Sequence, residues 1–372
     1  MTDNNLKIQQ ILSGKQAFYN EWIYHDVTKK EMTSPKPLNP PIYTYNTESK
    51  VWRLAQEMLS IIIFPVAFYR LMHSIAGKII VPASGDRNYA DRMRNAFLLN
   101  KSQIYKTKRI SVEMDGWIID AAILCRAPHL ENGRWLLSAN GNHEFYEDKL
   151  HNTSFSKLLY KLNSNAIIFN YPGVGCSTGM PHRHAMAKAY RAMLTFLEDQ
   201  EKGIGAKEII GYGHSIGGGV QGEALLCHEL KQGIKYVFVK NQTFSDLSSV
   251  ASNLIHRRFG SLVRLLGWNI SSVESSKKLK APEIIIQTAD VSQPHDLLGQ
   301  AEKIKDDGVI SAEASLAKKL LDDKEPFVGK KYFMGIVQDH NECLNDPGHL
   351  VDKINEMLKA DETLTLGDVK TH

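Results

Sequence analysis

Eight short β-rich runs recur between Tyr105 and Val337, most of them separated by helix-like segments, and this alternation constrains the fold more than any other feature. The first two, Tyr105–Glu113 and Trp117–Leu124, flank Met114-Asp115-Gly116. Asp-Gly between two such runs is a hairpin signal. The other six are Arg134–Ser138, Ala166–Asn170, Glu208–Tyr212, Tyr236–Lys240, Glu283–Gln287 and Lys331–Val337. They are short and largely apolar, as strands are when helices cover both faces of a parallel sheet. Between them, Ala185, Ala189, Met193, Leu194 and Leu197 recur at the three- and four-residue spacing of a crossover helix. The expectation is an α/β chain: a mostly parallel eight-stranded sheet, opened by an antiparallel pair, with helices on both faces.

At 372 residues the chain is long enough for that sheet plus an extension. Residues 1–80 read as the extension, polar to about residue 50, with a Pro-rich stretch from Pro35 to Pro41. From Val51 to Ile80 the chain turns apolar, but Glu57, Pro65 and Arg70 interrupt it. A spanning helix needs about 20 mostly apolar residues, so the segment is expected to pack on the domain. The alternative is a membrane-surface or lipid-pocket helix, which would give peripheral membrane contact through residues 51–80. Residues 81–372 form the expected main domain, and 246–280, where leucines mix with Arg257, Arg258 and Arg264, reads as a small cap.

Forty-five basic against 41 acidic residues leave a net charge of +4, with the two signs interspersed. That balance argues against a nucleic-acid partner. Cys125, Cys176, Cys227 and Cys343 are far apart and form no CxxC pair, which argues against a disulfide framework or zinc knuckle. The first residues show no basic segment followed by an apolar core, so a cytoplasmic location is expected, with export by another route left open. The sequence carries no signature of oligomeric state, and no cofactor is expected.

Two segments match G-x-S-x-G: Gly175-Cys-Ser177-Thr-Gly179 and Gly213-His-Ser215-Ile-Gly217. Ser215 follows an apolar strand and precedes a segment able to continue as a helix, the strand, sharp turn and helix that lift a hydroxyl clear of a sheet. Ser177 is soon followed by Met180-Pro181, where a helix would not readily begin. Ser215 is therefore the expected nucleophile.

These segments, with Ala139-Asn-Gly-Asn142 after one strand and Asn170-Tyr-Pro-Gly-Val-Gly-Cys-Ser-Thr-Gly179 after the next, resemble the α/β-hydrolase superfamily over roughly residues 100 to 365. Asn140 stands where that family usually has histidine. A narrower resemblance is to poorly characterised hydrolases of intracellular bacterial pathogens. The resemblance implies a Ser, acid, His order in the chain. It points to Asp290 as the acid, with Asp296 the alternative, and to His340 as the base, with His349 the alternative. It also implies an oxyanion hole from the backbone of Ile216 and Asn142, with Gly141, His143 and His214 near the substrate.

The implied reaction is hydrolysis of a carboxylic ester or thioester through an acyl-enzyme, with a small-molecule or lipid ester as substrate. A peptidase or acyltransferase would use the same three groups, and a catalytically silent binding protein would keep the scaffold. His182 and His184 have no third ligand in view, so no metal is expected. Cys176 has no histidine placed beside it as a nucleophile would need.

Overall fold

The computed structural model describes residues 41–49, 64–85, 105–130 and 132–367, except for 255 and 324, together with Val51, Ala55 and Met58. Much of the expected extension, including most of residues 51–63, lies outside the described residues.

The eight expected strands are present: β2 (Lys106–Met114), β3 (Trp117–Cys125), β4 (Arg134–Ala139), β5 (Asn165–Phe169), β6 (Glu208–His214), β7 (Lys235–Asn241), β8 (Glu283–Thr288) and β10 (Lys331–Ile336). Two short strands raise the sheet from the expected eight to ten: β1 (Tyr43–Tyr45) and β9 (His295–Asp296). Each is an edge strand, too short to show a period in sequence. The strand order is β1-β2-β3-β5-β4-β6-β7-β8-β10-β9.

β2 and β3 form the antiparallel hairpin that Asp115-Gly116 predicts, with Asp115 at φ 47° and Gly116 at φ 84°. From β5 through β10 the central pairs, β4 with β5 and β6, then β6 with β7, β7 with β8 and β8 with β10, are all parallel. Their carboxyl ends therefore share one edge, and every loop leaving that edge can contribute to one site.

Alternate residues of each strand feed two cores. Leu137, Ile167 and Phe169 pack on one face with the helix Arg183–Glu198, whereas Leu136, Ala166 and Ile168 pack on the other with Thr153–Leu162 and the closing helix Gly348–Gly367. Burial on both faces explains why the strands read as apolar runs rather than as an alternation.

Three helices concern the site. The helix α1 (Phe64–Ile80) comes from the apolar segment; α2 (Ile216–Leu226) follows β6; α3 (Arg257–Leu265) lies in the expected cap region. Among the described residues no helix is long and apolar enough to cross a membrane.

Where β7, β8 and β10 run side by side, the buried Glu283 carboxylate meets Lys240 at 2.8 Å and Lys331 at 3.3 Å. Lys240 also donates to Ser276 at 2.7 Å. Removing one member of a buried ion group leaves uncompensated charge, so Glu283→Ala should destabilise the fold by about 3–5 kcal/mol. Urea unfolding followed by circular dichroism measures this.

Candidate active site

β6 ends at His214 and α2 begins at Ile216, so the whole turn is a single residue. Ser215 takes φ 54°, ψ −122°, a region that residues with a Cβ rarely occupy. Its N–H donates to the Asn241 carbonyl of β7 at 2.9 Å, and its own carbonyl accepts from Gly218 N at 3.0 Å and Thr243 Oγ1 at 3.2 Å. The flanking glycines follow from close packing. A Cβ on Gly213 would stand 2.6 Å from Gly218 N, and one on Gly217 would stand 2.4 Å from the Ala139 carbonyl. The first N–H of α2, on Ile216, is one of the donors a helix leaves without an internal partner.

The loop after β4 closes beside this turn. Asn140 is buried, donating from Nδ2 to the Phe169 carbonyl at 3.0 Å, while its carbonyl accepts from Tyr171 Oη at 2.9 Å. Gly141 N donates to Glu144 Oε2 at 2.7 Å, and Asn142 is the next residue along the loop. Asn142, Ser215 and Ile216 line one cavity of about 340 Å³. The rest of its lining is apolar and comes from α1 (including Met72, Ile75 and Ile79), from Phe244, Leu247, Val250 and Ala251, from α3 and its end (Phe259, Leu262, Val263, Leu266) and from Val309 and Ile310. Gly141, His143 and His214, expected near the substrate, do not line that cavity; His214 lines a second cleft together with His340.

His340 lies in the loop after β10, buried to 5 % exposure, and its carboxylate partner is Asp307: Nδ1 to Oδ2 is 2.9 Å. His340 N also donates to the Asp307 carbonyl at 2.8 Å. Asp307 is fixed by Ile310 N at 2.6 Å, Val309 N at 3.0 Å and Gln287 Nε2 at 3.2 Å. Burial would raise its carboxyl pKa, but the His340 hydrogen bond and charge and these backbone donors outweigh it and hold the group below its usual value.

Asp290 does not reach the imidazole. It is 73 % exposed and pairs with Lys305 at 2.9 Å. Asp296, in β9, accepts from Leu298 N at 3.0 Å instead. After β8 the chain makes an excursion: β9 pairs with β10, Ile304 bridges back to Ala289, and Lys305 N donates to the Thr288 carbonyl at 3.0 Å. The carboxylate that meets His340 is thus delivered on the return leg rather than at the strand end. The signal in sequence is Asp307-Gly308 followed by Val-Ile, a turn pair whose glycine sits at φ 88°.

His214, beside the serine, braces the His340 loop. Its Nε2 donates to the His340 carbonyl at 3.0 Å, and its Nδ1 meets Glu144 Oε1 at 3.1 Å. The ring thus ties the loop carrying Glu144 to the loop carrying His340. Burial raises the Glu144 carboxyl, but Lys149, His214 and Gly141 N–H hold it well below its usual range.

The alternatives weighed in the sequence have structural duties. Ser177 Oγ donates to the Asn170 carbonyl and accepts from Asp120 N, each at 2.9 Å. His349 Nε2 bonds Tyr332 Oη at 2.9 Å. His182 packs edge-on against His73 and Trp268, and Cys176 is buried.

The profile of the Chlamydia CHLPS protein family (DUF818) matches residues 24–359. The chain belongs to that family. No curated protein matches this DUF818 chain. Among solved structures, an α/β-hydrolase from Vibrio vulnificus superposes with a TM-score of 0.53 at 12% identity, covering 86% of this chain and 98% of its own. An esterase from Pyrococcus furiosus gives 0.49 at 16% identity, covering 70% and 91%. The DUF818 chain has the α/β-hydrolase fold; at these identities the likeness is one of fold alone.

The depressed Asp307 carboxyl has a consequence for acid stability. Its ionised form is favoured by folding, so its contribution is present above the ordinary value of 3.8 and is lost as pH falls through the lower folded value. The stability gap between wild type and Asp307→Asn should therefore be constant near neutrality and shrink below pH about 4. Urea unfolding across that range tests the sign; a gap that widens on acidification would contradict it.

Proposed function

We propose that this DUF818 chain is a serine hydrolase acting on a carboxylic ester or thioester with an apolar acyl group. The observation that carries the proposal is a single hydroxyl, Ser215 Oγ, on a strained turn lining a cavity whose only other polar lining residue, among the described residues, is Asn142. A hydroxyl is a weak nucleophile at neutral pH and needs a base to take its proton. His340 is that base, and Asp307 holds its Nδ1–H so that Nε2 is free to accept.

In the proposed sequence Ser215 Oγ attacks the carbonyl carbon as its proton passes to His340 Nε2. The oxyanion is received by the N–H groups of Ile216 and Asn142, each such donor being worth about 3–4 kcal/mol in comparable sites. Collapse breaks the bond to the alcohol or thiol, which leaves with the proton from His340. Water, deprotonated by the same imidazole, then releases the acid. The apolar lining supports an acyl chain because each buried methylene contributes about 0.8 kcal/mol, close to a fourfold gain in kcat/KM.

Hydrolysis of nitrophenyl esters of increasing chain length tests both halves. Activity should rise about threefold to fourfold per methylene until the cavity is filled. Ser215→Ala should lose about 10⁶-fold in kcat and Asp307→Asn about 10⁴-fold. Asp290→Asn should behave as wild type. Activity confined to acetate would refute the acyl preference, and loss on Asp290→Asn with retention in Asp307→Asn would refute the assigned acid.

A further inference from the structure

The mouth of the apolar cavity is unusual in what surrounds it. On α1, Phe68, Leu71, Ile75 and Ile79 recur at intervals of three and four residues and so form one stripe. That stripe faces solvent: the four side chains are 53, 56, 47 and 68 % exposed, while His73 and Ala76 of the same helix are buried. Across the opening, α3 exposes Phe259, Leu262 and Leu265, the last to 79 %. Ile75 and Ile79 on one side and Phe259 and Leu262 on the other also line the cavity that ends at Ser215. The exposed apolar surface and the cavity are thus continuous. An apolar patch of this kind, organised in rows and surrounding an opening, marks an interaction surface.

Charge narrows the occupant. The sequences of the two helices, FPVAFYRLMHSIAGKII and RRFGSLVRL, contain five basic residues and no acidic one. Lys78 and Arg258 are exposed, and Arg264, 65 % exposed, reaches back toward Asp246 at 4.0 Å. Apolar side chains pointing outward from two helices with a basic complement suit the headgroup and acyl boundary of an anionic membrane. Geometry favours a bilayer over a protein partner. The patch is split by the opening, so a partner seated across it would seal the cavity that leads to Ser215, whereas a fluid acyl layer would fill it.

We propose that the face formed by α1 and α3 docks on an anionic lipid surface, with the cavity mouth turned toward the acyl layer. Docking lets an acyl chain pass from the bilayer to Ser215 without crossing water. That last consequence rests on the proposed hydrolase activity; the docking itself does not.

Sedimentation of the full chain with vesicles tests it. Binding to mixed phosphatidylcholine and phosphatidylglycerol vesicles should exceed binding to phosphatidylcholine alone and weaken as salt rises. Leu71 and Leu265 are exposed but lie outside the cavity lining, so the double substitution Leu71→Asp, Leu265→Asp should cut vesicle binding at least about tenfold while hydrolysis of a short soluble ester continues. Retained hydrolysis, or in its absence an unchanged thermal transition, shows that this variant is folded. Ser215→Ala should bind vesicles as wild type does, which separates failure of docking from failure of the hydrolase reading. Three results would each overturn the proposal: no vesicle binding by wild type, equal binding by the double variant, or equal, salt-insensitive binding to neutral vesicles. Self-association that the double variant abolishes, without vesicle binding, would instead assign the face to a second copy of the chain.

Discussion

The arrangement depends on one backbone constraint, the left-handed conformation of Ser215 between a strand and a helix. Such a conformation costs about 1–3 kcal/mol and persists only where neighbours over-determine it. Here they do. The β6 to β7 ladder extends one bond further through Ser215 N and the Asn241 carbonyl, Thr243 and Gly218 fix the Ser215 carbonyl, and glycines at 213 and 217 permit contacts that any side chain would block. The sheet then supplies the company. Because β4, β6, β8 and β10 run parallel, the loop carrying Asn142, the turn carrying Ser215, the return leg carrying Asp307 and the loop carrying His340 all leave one edge.

Around that edge the environment divides. One side is the apolar cavity shared by Ser215, Ile216 and Ile310; the other is a polar cleft of about 100 Å³ lined by His340, His214, Glu144 and Lys149. Asp307 lines neither, yet it links them: its carboxylate bonds His340 of the cleft, and the backbone turn that fixes that carboxylate presents Val309 and Ile310 to the cavity. Cavity and cleft are thus joined through one short loop. His214 ties the serine turn to the His340 loop from the polar side. In the same way the Ala139–Glu144 loop is held shut by Glu144 on Gly141 N, so the groups facing the cavity are fixed before any ligand arrives.

Much of the fold was legible because its signals are local. Asp115-Gly116 marks the hairpin, apolar runs mark strands buried on both faces, and Gly213 and Gly217 mark a turn whose flanks leave no room for side chains. What escaped depends on non-local pairing. β1 and β9 have three and two residues and exist only through their partners β2 and β10. The carboxylate partner of His340 escaped for the same reason: proximity to the end of β8 favours Asp290, yet the excursion through β9 restores that position only at Asp307. The apolar segment before residue 80 gave its composition but not its direction, and the structure turns one of its stripes outward. Asn140 departs from the family's usual histidine without loss of the loop, since its amide bonds β5 and its carbonyl bonds Tyr171.

The central claim is that Ser215, and no other hydroxyl, attacks. Mass mapping of the peptide modified by a fluorophosphonate probe tests this most directly, because the sequence carries a second G-x-S-x-G serine as an internal control. A single adduct on Ser215 is expected, and none on the doubly hydrogen-bonded Ser177. An adduct on Ser177, or an intact protein that the probe leaves unmodified, would contradict it.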